Sequence, residues 1–480
     1  MSFPYSTVRG HVAARERRDL PEAGLLTRII TKFVGWVVSV FYDVERTGPV
    51  MPEGPVLIAG NHPNALVDPL VIFRTGGRPA RTLAKAALFE QWLVGAMLRG
   101  LGGLPVYRRK DFPGQAHLND TTFDAAIGAL HNREAVQIYP EGQSHSEPSL
   151  TPIRTGAARI ALLAEERRDW KLGLHVQPVG LTYTRKHLFR GRVVAMFGES
   201  FPVGEYRDAY VEDERVTVRA LTDRIRAGLE AVTLNFDHPE DRELVEAAER
   251  LYAREKKFAR FRERDSMTER MPRLRRFADG IRWLRATDPV RFRALRARVR
   301  RYLRLLTLFG ASEGDIPPTY RMGVVLVYAL RQALLLGFVL PVALVGMFAW
   351  LPPFVATRYI APRYRPKIDQ VATYKIAIGI LAFPLWWGMV TAGVWLGWGL
   401  TAAGILTVGM PIVGLAAITW RDRQTQVRED LRVFFRAVRS PRGRDRLAEL
   451  RRDLAEELDE LAQAWDADRL AAAASQGASD

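Results

Sequence analysis

Two residues with acid–base chemistry follow a short apolar run near the start of the chain. His62 and Asp68 lie six residues apart in a polar, turn-rich segment, and residues 55–59 before them have the composition of a buried strand. His62 titrates near neutral pH, which suits a general base, and Asp68 could bond the second ring nitrogen and fix its tautomer. Pro69 is typical of a first helical position, which makes Asp68 an N-cap candidate too. Taken alone, this spacing is more often structural than catalytic.

A basic residue ends a second apolar run. Residues 103–107 read as a strand, and Arg108 follows them directly. A strand that delivers an arginine at its end can present it to an anion, whereas the alternative is a solvated surface charge.

A third polar group follows residues 135–139. Glu141 and Gly142 form a predicted tight turn with exposed backbone N–H groups, and Arg154 stands just before a predicted helix. An arginine beside a helix N-terminus is a fair phosphate site. The serines that follow Gly142 lack the G-x-S-x-G pattern, which disfavours a serine hydrolase.

These groups are positioned by strands that alternate with helices. The runs that suit strands are residues 55–59, 103–107, 135–139, 176–183 and 193–197. Helix-length segments between them are residues 69–74, 83–99, 121–132 and 156–167. This alternation predicts an α/β layered domain.

Changes of composition predict five regions. They are an amphipathic, interfacial segment (1–43), the α/β domain (44–210), a basic helical region (211–321), membrane segments (322–420), and a charged helix with a disordered tail (421–480). In the last region five leucines step by three or four residues, which predicts a helix that packs or self-associates. The tail is expected to start at residue 471.

Composition excludes several classes of protein. With 48% hydrophobic residues the 480-residue chain can build a core, and with no cysteine it has no disulfide, cysteine nucleophile or thiolate-ligated metal. The net charge of +17 is compatible with nucleic acid, an anionic membrane or an anionic substrate. Residues 253–304 hold 19 Lys and Arg against six Asp and Glu, so we expect this segment to contact anionic membrane lipids.

Two long uncharged stretches predict membrane segments. Residues 333–356 and 376–420 carry no charge, and the second is long enough for two spans with a turn near Gly397–Gly399. Because basic residues flank every segment, the positive-inside rule favours a first segment that re-enters, bent near Pro341, followed by a two-helix hairpin. Three plain spans are the alternative.

The polar groups occur in an order typical of one family. The patterns NH…D, GxxPVxR, YPEG and QPVGLTY, from Asn61 to Tyr183, resemble the glycerophospholipid acyltransferases. The spacing, with five residues between His62 and Asp68, resembles that of the glycerol-3-phosphate/dihydroxyacetone-phosphate branch, whereas the wider family commonly has four residues between them. Ser144 stands where the wider family commonly has an arginine. The resemblance implies a layered domain with a mixed sheet and flanking helices.

The resemblance also implies roles for matching residues. His62 would deprotonate the acceptor hydroxyl and Asp68 would orient it. Arg154, outside the matched patterns, is our candidate for the phosphate-binding charge missing at Ser144. The resemblance implies substrate contacts at Arg108, Glu141, Gly142 and Pro178.

The implied function is acyl transfer at a membrane. The chain would move an acyl group from acyl-CoA or acyl-carrier protein to glycerol 3-phosphate or dihydroxyacetone phosphate, giving lysophosphatidate. Alternatives are acylation of lysophosphatidate to phosphatidate, and a non-catalytic membrane-binding protein. The expected location is the cytoplasmic membrane, with the catalytic domain facing the cytoplasm. Neither a metal, a cofactor nor a nucleic-acid partner is expected, since a nucleic-acid binder has no need of long apolar spans.

Overall fold

The structure is a computed structural model of the 480-residue chain. It describes residues 33, 35–107, 118–147, 149–184, 186–255, 266–308, 322–364, 370–439 and 441–477. Its strands are β1 (Tyr42–Thr47), β2 (Val56–Gly60), β3 (Ala80–Lys85), β4 (Leu104–Val106), β5 (Ala135–Ile138), β6 (His175–Tyr183), β7 (Gly191–Phe197) and β8 (Phe201–Pro202).

Helices flank this sheet and make up the rest of the described chain. In the first half they are α1 (residues 35–41), α2 (Val67–Thr75), α3 (Ala86–Glu90), α4 (Trp92–Gly100), α5 (Leu118–His131), α6 (Gly156–Glu166), α7 (Arg207–Glu212) and α8 (Glu214–Val232). In the second half they are α9 (Pro239–Glu255), α10 (Met267–Thr287), α11 (Pro289–Leu308), α12 (Met322–Ala349), α13 (Leu351–Ile360), α14 (Val371–Arg439) and α15 (Pro441–Gly477). Short 3-10 turns cover Gly204–Tyr206 and Ala361–Tyr364.

The sheet is mixed, which confirms the predicted fold class. Its strand order is β1-β7-β6-β2-β5-β3-β4, with β8 paired to β6. The strands from β6 to β4 run parallel to one another, whereas β7 is antiparallel to β6 and carries β1 as a parallel edge. The carboxyl ends of β6, β2, β5, β3 and β4 therefore share one edge, where α/β folds place their sites.

The central strands are buried on both faces. In β2, Leu57 and Ala59 face a core with α5, α6 and α8, whereas Val56 and Ile58 face a core with α2 and β1. This alternation follows the two-residue period of a strand and explains why β2 is continuously apolar. We name these the α8 face and the α2 face.

Two strands differ from the prediction. The segment 83–99, predicted as one helix, begins as β3, which pairs with β4 and β5, before α3 and α4 follow. Tertiary pairing overrides the helical propensity of this segment. The edge strand β1 was not predicted, because its charged residues look like a loop. Glu45 makes an ion pair of 2.7 Å with Arg192 of β7, which accounts for a carboxylate inside a strand.

The C-terminal helix α15 packs on the basic helical region. Leu447, Leu454, Leu458 and Leu461 are buried in one core with α9, α10 and α11, so the predicted leucine stripe packs within its own chain. The helix continues to Gly477, through part of the tail predicted to be disordered.

Most described arginines of the basic region are paired. Arg276 contacts Asp466 at 2.6 Å and Arg298 contacts Glu457 at 2.8 Å, both on α15. Further arginines paired with carboxylates are Arg270, Arg273, Arg282, Arg285, Arg291, Arg296 and Arg300. Much of the surplus charge therefore balances acidic residues of the same chain. Residues 256–265 of this region and residues 1–32 of the predicted interfacial segment lie outside the described residues.

Two of the described helices are long and apolar enough to cross a membrane, within Leu326–Ala349 and Val371–Thr425. Gly399, at φ 84° and ψ 178°, interrupts α14 and divides it into arm one (371–398) and arm two (400–425). The indole of Trp350 stacks on Phe383 of arm one at 5.5 Å and donates a 2.9 Å hydrogen bond to the carbonyl of Met410 in arm two. One side chain can reach both residues only if α14 folds back at Gly399, where the turn was predicted.

The chain reverses at Trp350. Gln332 of α12 lies beside the end of arm two, where it accepts a 3.0 Å hydrogen bond from Arg423, and α12 continues as a helix through Pro341, where the chain was predicted to turn back. After Trp350, α13 leads back to Tyr364, which stacks on Tyr374 near the start of arm one at 5.2 Å. Phe383 and Met410 lie near the middle of the two arms. The α12–α13 pair therefore reaches about half of the hairpin's length and returns.

A glycine in β6 gives a test of the packing on the α8 face. A Cβ on Gly180 would lie 1.9 Å from the carbonyl oxygen of Val232, a backbone atom that cannot turn aside. We expect Gly180→Ala to destabilise the protein by about 1–3 kcal/mol, measured by thermal unfolding in detergent. Gly128→Ala on α5, where a Cβ meets nothing within 4 Å, is the control, and we expect it to be neutral or slightly stabilising. Equal melting temperatures for the two variants would contradict this packing.

Candidate active site

The loop after β2 brings His62 and Asp68 together. Nδ1 of His62 lies 2.9 Å from Oδ2 of Asp68, so the predicted contact is present. The Asp68 side chain is fully buried, whereas 17% of the His62 side chain is exposed to solvent. His62 can therefore contact a substrate while Asp68 stays shielded from solvent.

Besides His62, two groups donate hydrogen bonds to the Asp68 carboxylate. Oδ2 accepts the backbone N–H of Asn64 at 2.7 Å, and Oδ1 accepts the hydroxyl of Tyr183 at 2.8 Å. Burial, reinforced by the charge of Asp68, raises the pKa of Tyr183 well above its usual value, so this hydroxyl keeps its proton. Nδ1 of His62 therefore donates to the carboxylate as well, which leaves the Nε2 lone pair free.

Helix α2 starts earlier than predicted. Its first residue is Val67 and its N-cap is Leu66, which makes no side-chain capping bond. Asp68 thus lies in the first turn, and the predicted N-cap role is wrong. A carboxylate in the first turn still benefits from the positive end of the helix dipole.

The ring of His62 and the residue before it are each fixed by a neighbouring strand. It stacks on Tyr139 of the neighbouring β5 end, with ring centroids 4.1 Å apart and planes within 16°. The preceding residue, Asn61, exchanges two hydrogen bonds with the backbone of Leu181 on β6, of 2.7 and 3.1 Å. The side-chain amide of Asn61 continues the strand pairing beyond the end of β2, so the loop leaves the sheet at a fixed point.

Glu141 ties the turn after β5 to the histidine loop. Its Oε1 accepts the backbone N–H of His62 at 2.9 Å, and its Oε2 accepts the N–H and hydroxyl of Thr151 at 3.0 and 2.9 Å. Nε2 of His145 also bonds Oε2. The buried carboxylate is engaged with protein donors on both oxygens. Its geometry is that of a group that holds the turn, and its direct contact with a phosphate stays a prediction.

The surroundings of Glu141 and His145 favour the charged form of each side chain. Burial opposes ionisation of Glu141, but hydrogen bonds from His145 and Thr151 outweigh it and hold the pKa of this carboxyl below its usual value. The hydrogen bond to Glu141 raises the pKa of His145. The backbone N–H of His145 also donates to the carbonyl of His62 at 3.1 Å. An ion pair therefore supports the backbone on which His62 stands.

Arg154 lies over Gly142. Gly142 has a φ of 73°, and a Cβ there would lie 3.0 Å from Nε of Arg154. The backbone N–H of Arg154 donates to the carbonyl of Pro140 at 2.8 Å, which fixes the backbone of the loop that carries the arginine. The structure thus joins two predicted residues that lie 12 positions apart, and Arg154 is exposed.

One other predicted residue is not brought to this cluster. Pro178 pairs with Ala59 in the sheet but points to the α8 face, where it packs closely on Gly228. It lies across the sheet from Asp68, and its contact with substrate stays a prediction. Arg108 lies outside the described residues. Strand β4 before it ends at the shared edge, three strands from β2.

Several residues of the cluster were missed. Tyr183 ends a strand and looks like a core aromatic, and Asn64 sits in the polar loop without a distinguishing pattern. Lys186 is one of three basic residues in the loop after β6, with Arg185 and Arg190, and its ammonium donates to the carbonyl of Pro63 at 2.7 Å. Only the position of each at a strand end could have indicated a role. The described residues hold no group of three or more His, Asp or Glu side chains arranged to bind a metal.

Comparison with known proteins gives two family matches. Residues 42–182 match the family model described as Acyltransferase, and residues 244–468 match that of the Glycerol-3-phosphate acyltransferase 2 C-terminal domain. The first match contains both His62 and Glu141. The second contains the apolar helices and most of α15.

The similar proteins include two from Saccharomyces cerevisiae. Glycerol-3-phosphate O-acyltransferase 2 is 38% identical over 135 residues, 28% of this chain and 18% of that protein. Glycerol-3-phosphate O-acyltransferase 1 is 24% identical over 367 residues, 69% of this chain and 46% of that protein. The crystal structure of the 1-acyl-sn-glycerophosphate acyltransferase of Thermotoga maritima matches with a TM-score of 0.31 at 20% identity, covering 43% of this chain and 80% of that one. The chain spans less than half the length of these yeast relatives.

A mixed sheet with a histidine–aspartate pair at its carboxyl edge, in a segment that matches the Acyltransferase model, defines the class. The chain belongs to the glycerophospholipid acyltransferase family. Within it, the C-terminal match and the two yeast relatives place the chain in the glycerol-3-phosphate acyltransferase branch.

The ion pair of His145 and Glu141 predicts a pH dependence of stability. A histidine whose folded pKa is raised stabilises the protein fully below its unfolded pKa of 6.5, and this stabilisation is lost as pH rises through the folded pKa. We therefore expect the melting temperature of the parent to fall relative to His145→Gln as pH rises above 6.5. A difference between the two proteins that stays constant from pH 6 to 9 would contradict the ion pair.

Proposed function

We propose that the chain acylates glycerol 3-phosphate or dihydroxyacetone phosphate at a membrane surface, using acyl-CoA or acyl-carrier protein as donor and giving lysophosphatidate or its keto analogue. The observation that carries this proposal is the half-buried His62 with its Nε2 lone pair free and its Nδ1 committed to Asp68. The names of the yeast relatives support glycerol 3-phosphate as acceptor. Residues 44–210 are proposed to hold the catalytic machinery.

The proposed reaction needs one proton shuttle. Nε2 of His62 takes the proton of the acceptor hydroxyl as its oxygen attacks the thioester carbonyl. The C–O bond forms, the C–S bond breaks, and the thiolate leaving group receives the proton from His62. Asp68 stabilises the imidazolium formed between these two steps and keeps Nε2 aimed outward.

The proposed phosphate site is the turn at Gly142. Its backbone has the left-handed conformation that only glycine adopts without strain, and Arg154 covers it with a positive charge. Helix α6 begins at Gly156 after an N-cap, Thr155, that makes no side-chain capping bond, so no capping side chain competes with an anion there. An arginine, a turn and a helix N-terminus thus converge on one place.

The proposed acyl site is an apolar cleft beside α2. Its wall begins at Leu66, two residues before Asp68, so a thioester carbonyl near His62 would place its chain there. Thr82 is the one polar side chain among its described lining, which is Leu66, Pro69, Leu70, Phe73, Ala80, Thr82, Leu98, Leu101 and Gly103. Such a lining suits a hydrocarbon chain.

The proposed membrane position follows from the apolar helices. We propose that the two arms of α14 span the bilayer and that α12 and α13 re-enter it. We define the base as the end of these helices that carries residues 358–364 and 421, and we propose that it faces the cytoplasm. Arg358, Arg363 and Arg421 are exposed at this base, beside the exposed Tyr359 and Tyr364. Arginines and tyrosines at one level are typical of an interface with anionic lipid headgroups. This base replaces the paired arginines of residues 266–304 as the proposed anionic-lipid contact.

The catalytic assignment predicts the effect of removing the base. We expect His62→Ala to lower kcat by about 10³-fold and Asp68→Asn by about 10²-fold, because the amide donates to His62 where the carboxylate accepted. The measurement is thioester-dependent acylation of labelled glycerol 3-phosphate by purified protein, with lysophosphatidate offered in parallel. Folding is controlled by the melting temperature. Full acyl transfer by His62→Ala would overturn the proposed function. Faster turnover of lysophosphatidate than of glycerol 3-phosphate by the parent protein would identify lysophosphatidate as the acceptor.

The phosphate site predicts a change in KM. We expect Arg154→Ala to raise KM for glycerol 3-phosphate at least about tenfold, equivalent to about 1.4 kcal/mol, because a charge-assisted contact is lost. KM for the acyl donor should stay unchanged. Arg168→Ala, at the other end of α6 and equally exposed, is the matched control. An unchanged KM for the acceptor in Arg154→Ala would remove Arg154 from the site.

A further inference from the structure

The loop between β6 and β7 joins the candidate active site to the base of the apolar helices. We define the strap as residues 186–190, which follow the end of β6 closely and lead into β7 at Gly191. Three residues of the strap, Lys186, His187 and Arg190, make its polar contacts. The strap belongs to neither the histidine loop nor the Glu141 turn, and none of the roles above uses it.

One end of the strap holds the two loops around His62. The ammonium of Lys186 donates to the carbonyl of Pro63 at 2.7 Å and to the hydroxyl of Ser146 at 2.8 Å. Pro63 directly follows His62, and Ser146 follows His145, whose N–H bonds the carbonyl of His62. The ammonium of Lys186 thus joins the two chain segments that hold the His62 ring in position.

The other end of the strap is bound by both arms of α14. Nζ of Lys375, at the start of arm one, donates to the carbonyl of His187 at 2.9 Å. Nε of Arg190 lies 2.9 Å from Oδ2 of Asp422, near the end of arm two. The guanidinium of Arg190 also donates to the carbonyl of Ser39 in α1 at 3.1 Å. The two arms therefore contact His187 and Arg190, which lie one and four positions after Lys186.

The strap conformation is maintained by these contacts. Arg190 has a φ of 60°, which a residue with a side chain adopts at a cost of about 1 kcal/mol, and it persists only where its surroundings impose it. Its backbone N–H donates to the carbonyl of Phe41 at 2.7 Å, and Phe189 packs edge-on against the ring of Phe41 at 5.6 Å. Ala372 of arm one is buried in the same core. Contacts with α1 and with both arms of α14 therefore hold the strap in one position.

We propose that Lys186 is a positioning residue for His62 and that the strap makes this positioning depend on the seating of the α14 hairpin. The inference rests on the proposed function, since it assigns to the hairpin a part in the same reaction. Acyl transfer is thereby fast only when both arms are in place against the domain. Lys186 acts through Pro63 and Ser146 and does not touch the reacting atoms.

Kinetics of three variants test the proposal. We expect Lys186→Met to lower kcat about 30-fold with KM for glycerol 3-phosphate and for the acyl donor unchanged within about twofold, because a displaced base slows chemistry without weakening binding. Lys375→Met and Asp422→Asn should each lower kcat about threefold to tenfold. Combined with Lys186→Met, either should add little further loss, since all three act along one path.

The neighbour of Asp422 provides the matched control. Arg423 stands on the same arm but contacts Gln332 of α12, so Arg423→Met should keep the parental kcat. Losses of kcat that multiply in the double variants would overturn the strap, and so would a raised KM for the acceptor in Lys186→Met, which would make Lys186 a phosphate ligand. If Lys186→Met does not fold, an unchanged kcat in Lys375→Met and Asp422→Asn, both made at partly exposed contacts, overturns it equally. A parent without acyl transfer overturns the proposed function instead.

Discussion

The candidate site depends on the buried carboxylate of Asp68. A charge without solvent is stable only when donors surround it, and here three donors converge from the histidine, from the backbone of Asn64 and from the end of β6. Each donor fixes the element that carries it. The carboxylate thereby fixes the loop after β2 against β6, and the orientation of the His62 ring is a consequence of this arrangement.

Part of the site was predictable, because its residues lie close together in sequence or at the ends of apolar runs. The contact between His62 and Asp68 needs only one loop, and the pairing of Gly142 with Arg154 follows from a turn and a helix start. Tyr183 was not predictable, because a tyrosine that ends a strand has the same pattern whether it fills the core or donates to a carboxylate. Pro178 belongs to a characteristic pattern but lies on the face of the sheet away from Asp68, so its contact with substrate stays a prediction.

The fold shows the same limit. Periodicity predicted the central strands, whose faces are both apolar, but it missed β3 and β1, which are strands because of their partners. Charge was harder still to interpret. A count of lysines and arginines between residues 253 and 304 indicated a free basic surface, whereas most of its described arginines are paired. Some pair with acidic residues of α9, such as Asp241 and Glu249, and others with acidic residues of α15, such as Asp466, which lie far away along the chain until α15 packs on the region.

The reversal of the chain at Trp350 has a consequence for the lipid around the protein. In the proposed placement, four helical segments cross the half of the bilayer near the domain, and two cross the other half. The protein is then a wedge, broader in one leaflet than in its opposite. A bilayer that holds many copies would compensate for this difference in area by bending toward the narrow side, so the enzyme's own shape would couple its abundance to membrane curvature.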